Sequence, residues 1–170
     1  PSMRSLFQIN SRESSIRVKS MPKYYEDLKV GDKFVTPRRT ITETDIVNFS
    51  GISGDYNALH TDEVFALETQ FGGRIAHGPL GFVVATGLSN RTGLFDGSTL
   101  AFLEVQWKFT APIYPGDTVH LEMTVAELRP TSKPDRGILV REMKLINQKD
   151  QLVQAGRFTT LISIRDAGAG

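Results

Sequence analysis

A carboxylate and an imidazole lie five positions apart in the stretch Gly54-Asp55-Tyr56-Asn57-Ala58-Leu59-His60-Thr61-Asp62. That spacing does not stack on a helix face, so the two side chains can meet only across a turn. Gly54 and Asn57 supply the backbone freedom such a turn needs. Histidine titrates near neutral pH while an aspartate beside it stays ionised, so Asp55 and His60 together could hold a water and move its proton. The plain alternative is an Asx turn at Asp55 with His60 packed as an ordinary loop residue, and an isolated pair of this kind carries no more than that.

A second element, Arg74-Ile75-Ala76-His77-Gly78-Pro79-Leu80-Gly81, stands where an apolar helical pattern begins. Helix N-termini present unpaired N–H groups and partial positive charge, which suits a developing oxyanion, and Gly78 lets a ligand approach the backbone closely. A glycine in a pre-helix turn is the plain alternative here. His60, His77 and a carboxylate of Asp55 or Asp62 could also form a two-histidine, one-carboxylate metal set. No H-x-x-x-H spacing supports that set, so no metal is expected and His77 reads as structural. His120, opposite Val119, Leu121 and Met123, reads as a solvent-facing strand residue.

The elements that must position these groups follow from period and punctuation. Residues 33–41 read as a strand edged by Pro37, which cannot donate to a ladder. Thr42 with Asp45 three residues on begins a helix. Residues 50–62, with two glycines, an asparagine and two aspartates, read as an irregular loop. A helix follows Pro79, with Leu80, Val83, Val84, Gly87 and Leu88 at helical spacing. From residue 101 the period becomes two: Ala101, Leu103, Val105, Trp107 and Phe109 share a face, as do Val119, Leu121, Met123 and Val125. Residues 138–146 and 152–164 form a hairpin across a polar turn. The whole predicts an α+β domain, a curved antiparallel sheet wrapped around a central α-helix. Its open edges predict a homodimer.

The chain has 170 residues, of which 39% are hydrophobic, enough for one domain with a sizeable core. Its formal charge is +1, which leaves no bulk attraction to nucleic acid or an anionic membrane. With no cysteine, disulfides and thiol nucleophiles are excluded, and a cytoplasmic setting is expected. No apolar run is long enough to span a bilayer. Residues 1–22 read as a poorly ordered extension rather than a Ser/Arg-rich transit peptide, residues 23–166 as one domain and 167–170 as a tail.

The two chemistry-bearing stretches resemble those of the MaoC-like dehydratases and (R)-specific enoyl-CoA hydratases, a hotdog-fold family. That family's S-G-D-x-N-P-[LIV]-H-x-D pattern stands here as Ser53 to Asp62, with Ala58 for the proline, and Val64 stands where another proline is common. Its I-A-H-G-M pattern stands as Ile75-Ala76-His77-Gly78-Pro79. The likeness runs over residues 24–165 and includes Phe109, Pro112, Gly116 and Asp117 of an F-x-x-P-x-x-x-G-D stretch.

The resemblance implies a hydratase or dehydratase acting on a 2-enoyl thioester of CoA or acyl-carrier protein, with no cofactor. In it Asp55 and His60 activate water, Gly78 offers its N–H to the thioester carbonyl, and Ala76, His77 and Pro79 sit beside substrate. Asn57 and Thr86 are implied as supporting residues, Thr86 as a hydroxyl beside Asp55. The absent proline at position 58 predicts a looser bend. Phe82, Phe95, Phe102 and Trp107 are candidates for an acyl tunnel, and Arg74, Arg91 and Lys108 for the CoA phosphates. A hotdog thioesterase and a non-catalytic acyl-thioester binder are the competing readings.

Overall fold

Thr42 starts the first long helix for a local reason. Its hydroxyl accepts the Asp45 N–H at 3.2 Å, and the Asp45 carboxylate takes the Thr42 N–H at 2.8 Å, a reciprocal cap. This helix, α1 (Glu43–Ser53), ends where Gly54 adopts φ 75°, a left-handed conformation that glycine enters without strain. The computed structural model describes residues 21–165. The tail expected at 167–170, and the extension expected at 1–22 apart from Met21 and Pro22, lie outside the described residues.

Ahead of α1 the chain makes β1 (Lys33–Val35) and β2 (Arg39–Thr40), parted around Pro37 as its missing donor predicts. Two short helices follow, α2 (Ala58–Thr61) and α3 (Glu63–Leu67), then α4 (Gly78–Arg91). Four long strands complete the chain: β3 (Thr99–Phe109), β4 (Thr118–Pro130), β5 (Arg136–Ile146) and β6 (Leu152–Ser163). They form an antiparallel sheet ordered β1-β4-β5-β6-β3, with β2 beside β4. Among the described residues no helix is long and apolar enough to cross a membrane.

The sheet wraps α4. Leu80, Val84, Ala85 and Leu88 of the helix join Leu121, Met123, Met143, Leu145 and Phe158 of the sheet in the main core. Polar contacts fasten the helix near both ends: Gln154 Nε2 donates to the Gly78 carbonyl at 3.0 Å, and Arg141 Nη1 donates to Ser89 Oγ at 3.3 Å. Arg141 is buried over the Phe95 ring, 4.5 Å from its centroid, and burial lowers its guanidinium pKa to about 10. Helix α4 is therefore a fixed rod whose first turn points at one end of the sheet.

Two expectations need correction, at residues 50–62 and at His120. Residues 50–62 are not one irregular loop, because α1 runs through Ser53 and α2 begins at Ala58. The apolar face of β3 is not buried in the single chain. Leu103 is 51%, Val105 42% and Phe109 57% exposed, since β3 is the sheet edge and irregularities at Thr99/Ala101 and Phe102/Glu104 break its alternation. His120 is not freely solvated, because its side chain is only 12% exposed and lies 3.9 Å from Glu122.

Because α4 is held mainly by its buried face, Leu88→Ala should cost about 2–5 kcal/mol of stability. Val47→Ala, at a 60% exposed position on α1, should change stability by less than about 0.5 kcal/mol. Urea unfolding of both variants checks this, and equal effects would contradict the packing described.

Candidate active site

The turn that carries Asp55 is closed by short-range hydrogen bonds. Ser53 Oγ accepts the Asp55 N–H at 3.2 Å, and Asp55 Oδ1 accepts the Asn57 N–H at 3.1 Å, closing an Asx turn. Asn57 then caps α2, its Oδ1 accepting the Leu59 N–H at 2.9 Å. The helix it starts carries His60. Thr61 Oγ1 donates to the carbonyls of Tyr56 and Asn57 at 3.2 and 3.1 Å, pinning the turn from the other side. The bend lacking proline at position 58 is thus held by side chains. Asp62 is committed elsewhere, capping α3 through the Phe65 N–H at 3.1 Å.

His60 Nδ1 lies 2.8 Å from the carbonyl of Ile75. A carbonyl can only accept, so Nδ1 carries the proton and Nε2 is left as the bare, basic nitrogen of the neutral ring. His77 is oriented by the same logic. Its Nε2 donates to the backbone carbonyl of Asp55 at 2.9 Å and lies 3.3 Å from Ser50 Oγ, while Nδ1 is buried without a partner among the described residues. The two imidazoles stack with centroids 3.8 Å apart at 30°. Phe49 closes the other side of His77 at 5.0 Å.

The Asp55 carboxylate and the imidazole nitrogens of His60 and His77 come within 4.8 Å of one another. Such a set resembles a metal site in composition. Zinc needs nitrogen lone pairs aimed at one point about 2.0–2.1 Å away, however, whereas nearly parallel stacked rings aim theirs side by side. Nε2 of His77 is also occupied by Asp55 and Ser50.

A cavity of about 310 Å³ opens beside His60, walled by Ala76, Gly78, Phe109, Ile113 and Gln154 among others. Gly78 stands in the first turn of α4, where an N–H has no intrahelical acceptor. A Cβ at that position would sit 3.1 Å from the Phe109 ring and press on it. Asp55 is exposed and lies outside the cavity wall.

The other expected residues divide. Ala76 lines the cavity, but Pro79 is exposed and the His77 side chain is buried behind His60, so neither faces the cavity. The Thr86 hydroxyl, expected beside Asp55, donates to the Val83 carbonyl of its own helix at 2.7 Å. Phe82 and Phe102 pack on Phe158, as Trp107 does, and Phe95 packs on Phe34, so none of these lines the cavity. Arg74 bridges Glu63 and Glu43 at 2.8 and 2.5 Å, which ties its charge to α3 and α1.

Ser50 and Gln154 were not singled out from sequence. Each is a polar residue on an apolar inward row, Ser50 one turn after Ile46 and Gln154 two places before Gly156 and four before Phe158.

One helix cradled by a curved antiparallel sheet defines a hotdog domain. The family model described as "MaoC like domain" matches residues 27–143, and the chain belongs to the MaoC-like dehydratase family. It is 40% identical over 112 residues to an (R)-specific enoyl-CoA hydratase of Rhodospirillum rubrum, covering 65% of this chain and 74% of that protein. To Protein MaoC of Klebsiella aerogenes it is 39% identical over 108 residues, which are 64% of this chain but only 32% of that longer protein. A conserved hypothetical protein of Mycobacterium tuberculosis with a double hotdog fold aligns at TM-score 0.76 and 26% identity, over 91% of this chain and 48% of the other.

The turn chemistry makes opposite predictions at two positions. Asn57 has φ −51° and ψ 136°, a conformation that suits the residue before a proline, and Ala58 is the first residue of α2. Ala58→Pro should therefore stabilise by about 0.4–1 kcal/mol. Gly54→Ala should destabilise by roughly 1–2 kcal/mol through its left-handed backbone. Thermal melts decide, and a destabilising Ala58→Pro would show that the cap geometry is misread.

Proposed function

We propose that this chain adds water to, or removes it from, the carbon–carbon double bond of a 2-enoyl thioester, most simply a trans-2-enoyl-CoA giving an (R)-3-hydroxyacyl-CoA. The observation that carries this reading is the Asp55 carboxylate lying within 4.8 Å of the His60 imidazole, beside a cavity walled by Gly78. The relatives named as hydratases support the same reading.

In the hydration direction, Asp55 and His60 hold a water, and His60 Nε2 takes one of its protons. The water oxygen bonds to C3 as the double-bond electrons move to C2 and on to the thioester oxygen. The resulting enolate faces the Gly78 N–H and the positive end of α4. A proton delivered to C2 restores the thioester and completes the addition. Dehydration retraces these steps, and no step as written calls on a cofactor.

A homodimer belongs to the same reading. Among the described residues strand β3 pairs only with β6, and Leu100, Phe102, Leu103, Val105 and Phe109 on it are 42–57% exposed. An unpaired apolar sheet edge is a pairing surface, and a second copy offers the same edge in return. The acyl substrate is a CoA or carrier-protein thioester.

Asp55→Asn and His60→Gln should each lower turnover of crotonyl-CoA and longer enoyl-CoAs by ~100-fold or more while leaving the fold intact. Loss of the enoyl absorbance reports the reaction, and unimpaired variants, or release of free CoA, would contradict the roles assigned. Val105→Lys should shift the protein from dimer to monomer in sedimentation velocity, and an unchanged dimer would place the seam elsewhere.

A further inference from the structure

We infer that Gln154 is a positioning residue for the reaction, holding the first turn of α4 so that the Gly78 N–H meets the thioester oxygen. This rests on the hydratase reading above and adds a residue that neither motif contains.

Gln154 lies on the inward row of β6 with Phe158, Thr160 and Ile162, and only 3% of it is exposed. The side-chain oxygen accepts the Trp107 indole N–H at 2.8 Å, and Nε2 donates to the Gly78 carbonyl at 3.0 Å. Because an indole only donates and a carbonyl only accepts, the amide has one possible orientation. Trp107, Gln154 and Gly78 thus form a directed chain from the edge strand to the helix start.

The surrounding sequence makes room for this chain at some cost. A Cβ at Gly81 would lie 2.4 Å from Gln154 Nε2, and one at Gly156 would lie 2.0 Å from the Gln106 carbonyl and 2.4 Å from Trp107 Cε3. Glycine inside a helix is unfavourable relative to alanine, and Gly81 is inside α4. A buried amide among Trp107, Phe109 and Leu145 is likewise a poor choice for packing alone.

Backbone accounting does not require the bond either. In an α-helix the Gly78 carbonyl already receives the N–H four residues further on. What the amide adds is restraint. Gly78 is the residue with the greatest conformational freedom in the first turn, and it must present its N–H at a fixed point. Gln154 grips its carbonyl from β6, while the Phe109 ring, 3.1 Å from where a Cβ would be, blocks the other side. Gln154 also walls the same cavity as His60. A donor aimed at a developing oxyanion loses much of its effect when its aim is lost.

The test uses the full-length protein with Gln154→Met, which keeps the volume and loses both bonds, and Gln154→Glu, whose carboxylate keeps the Trp107 bond but cannot donate to Gly78. Gly81→Ala, which crowds the amide while favouring the helix, is the variant to rely on should the buried substitutions unfold. Each should lower kcat by ~10–100-fold with KM changed less than ~3-fold, less than the ~100–1,000-fold cost of removing an oxyanion donor outright. The second readout is the infrared carbonyl stretch of bound butyryl-CoA, a thioester that cannot be hydrated. Wild type should shift it to lower wavenumber, and the variants should lose at least half that shift.

A purely structural Gln154 would leave kcat and the carbonyl shift unchanged in Gly81→Ala and in whichever Gln154 variants fold, and that result overturns the inference alone. A wild-type protein that neither hydrates enoyl-CoA nor shifts the carbonyl overturns the hydratase reading, and this inference with it.

Discussion

One hydrogen bond decides what the site can do: His60 Nδ1 to the Ile75 carbonyl, 2.8 Å. It turns an imidazole that could adopt either tautomer into one with a defined donor side and a defined basic side. Without it, nearness to Asp55 would not specify which nitrogen accepts a proton. The acceptor is itself fixed, because Ile75 N–H reaches the Leu59 carbonyl at 3.4 Å and the next residue, Ala76, donates to Ile113 at 2.7 Å. The segment before α4 therefore serves as a rigid template against which the ring of α2 is set.

His77 joins the two halves of the site from behind. Its ring stacks on His60 and its Nε2 holds the main chain of Asp55, so the Asp/His turn and the start of α4 cannot shift independently. Ser50, on the preceding helix, completes the link. In this arrangement Asp55 and His60 sit on short elements, while α1, α4 and the sheet supply the stiffness. The turn that carries Asp55 is exposed, while His77 and Ser50 behind it are buried.

Legibility in the sequence tracked the range of the interactions involved. The Thr42–Asp45 cap, helix α4 and the strands β4 to β6 could be read directly, because capping and periodicity are local. Helices α2 and α3 could not, since each is only a turn or so long and exists through a single side-chain cap, Asn57 or Asp62, within a stretch whose composition says loop. Asp55, His60 and Gly78 were identifiable as types at a spacing. The tautomer of His60 was not, because it depends on a carbonyl 15 residues away. The bond of Thr86 to Val83 was not legible either, because a helical hydroxyl can bond back to its own preceding turn or reach outward. Ser50 and Gln154 escaped notice because their partners, His77 and Trp107, lie 27 and 47 residues off.

Central to the proposed mechanism is a His60 ring whose Nδ1 proton goes to the Ile75 carbonyl and whose Nε2 is left bare. Long-range proton–nitrogen correlation NMR of the uniformly nitrogen-15-labelled protein, with His60 assigned by its absence in His60→Gln, measures this directly at neutral pH. The account predicts a protonated Nδ1 and an Nε2 shift typical of an unprotonated ring nitrogen. A ring found with its proton on Nε2 would leave no base facing the water, and the mechanism set out above would be wrong.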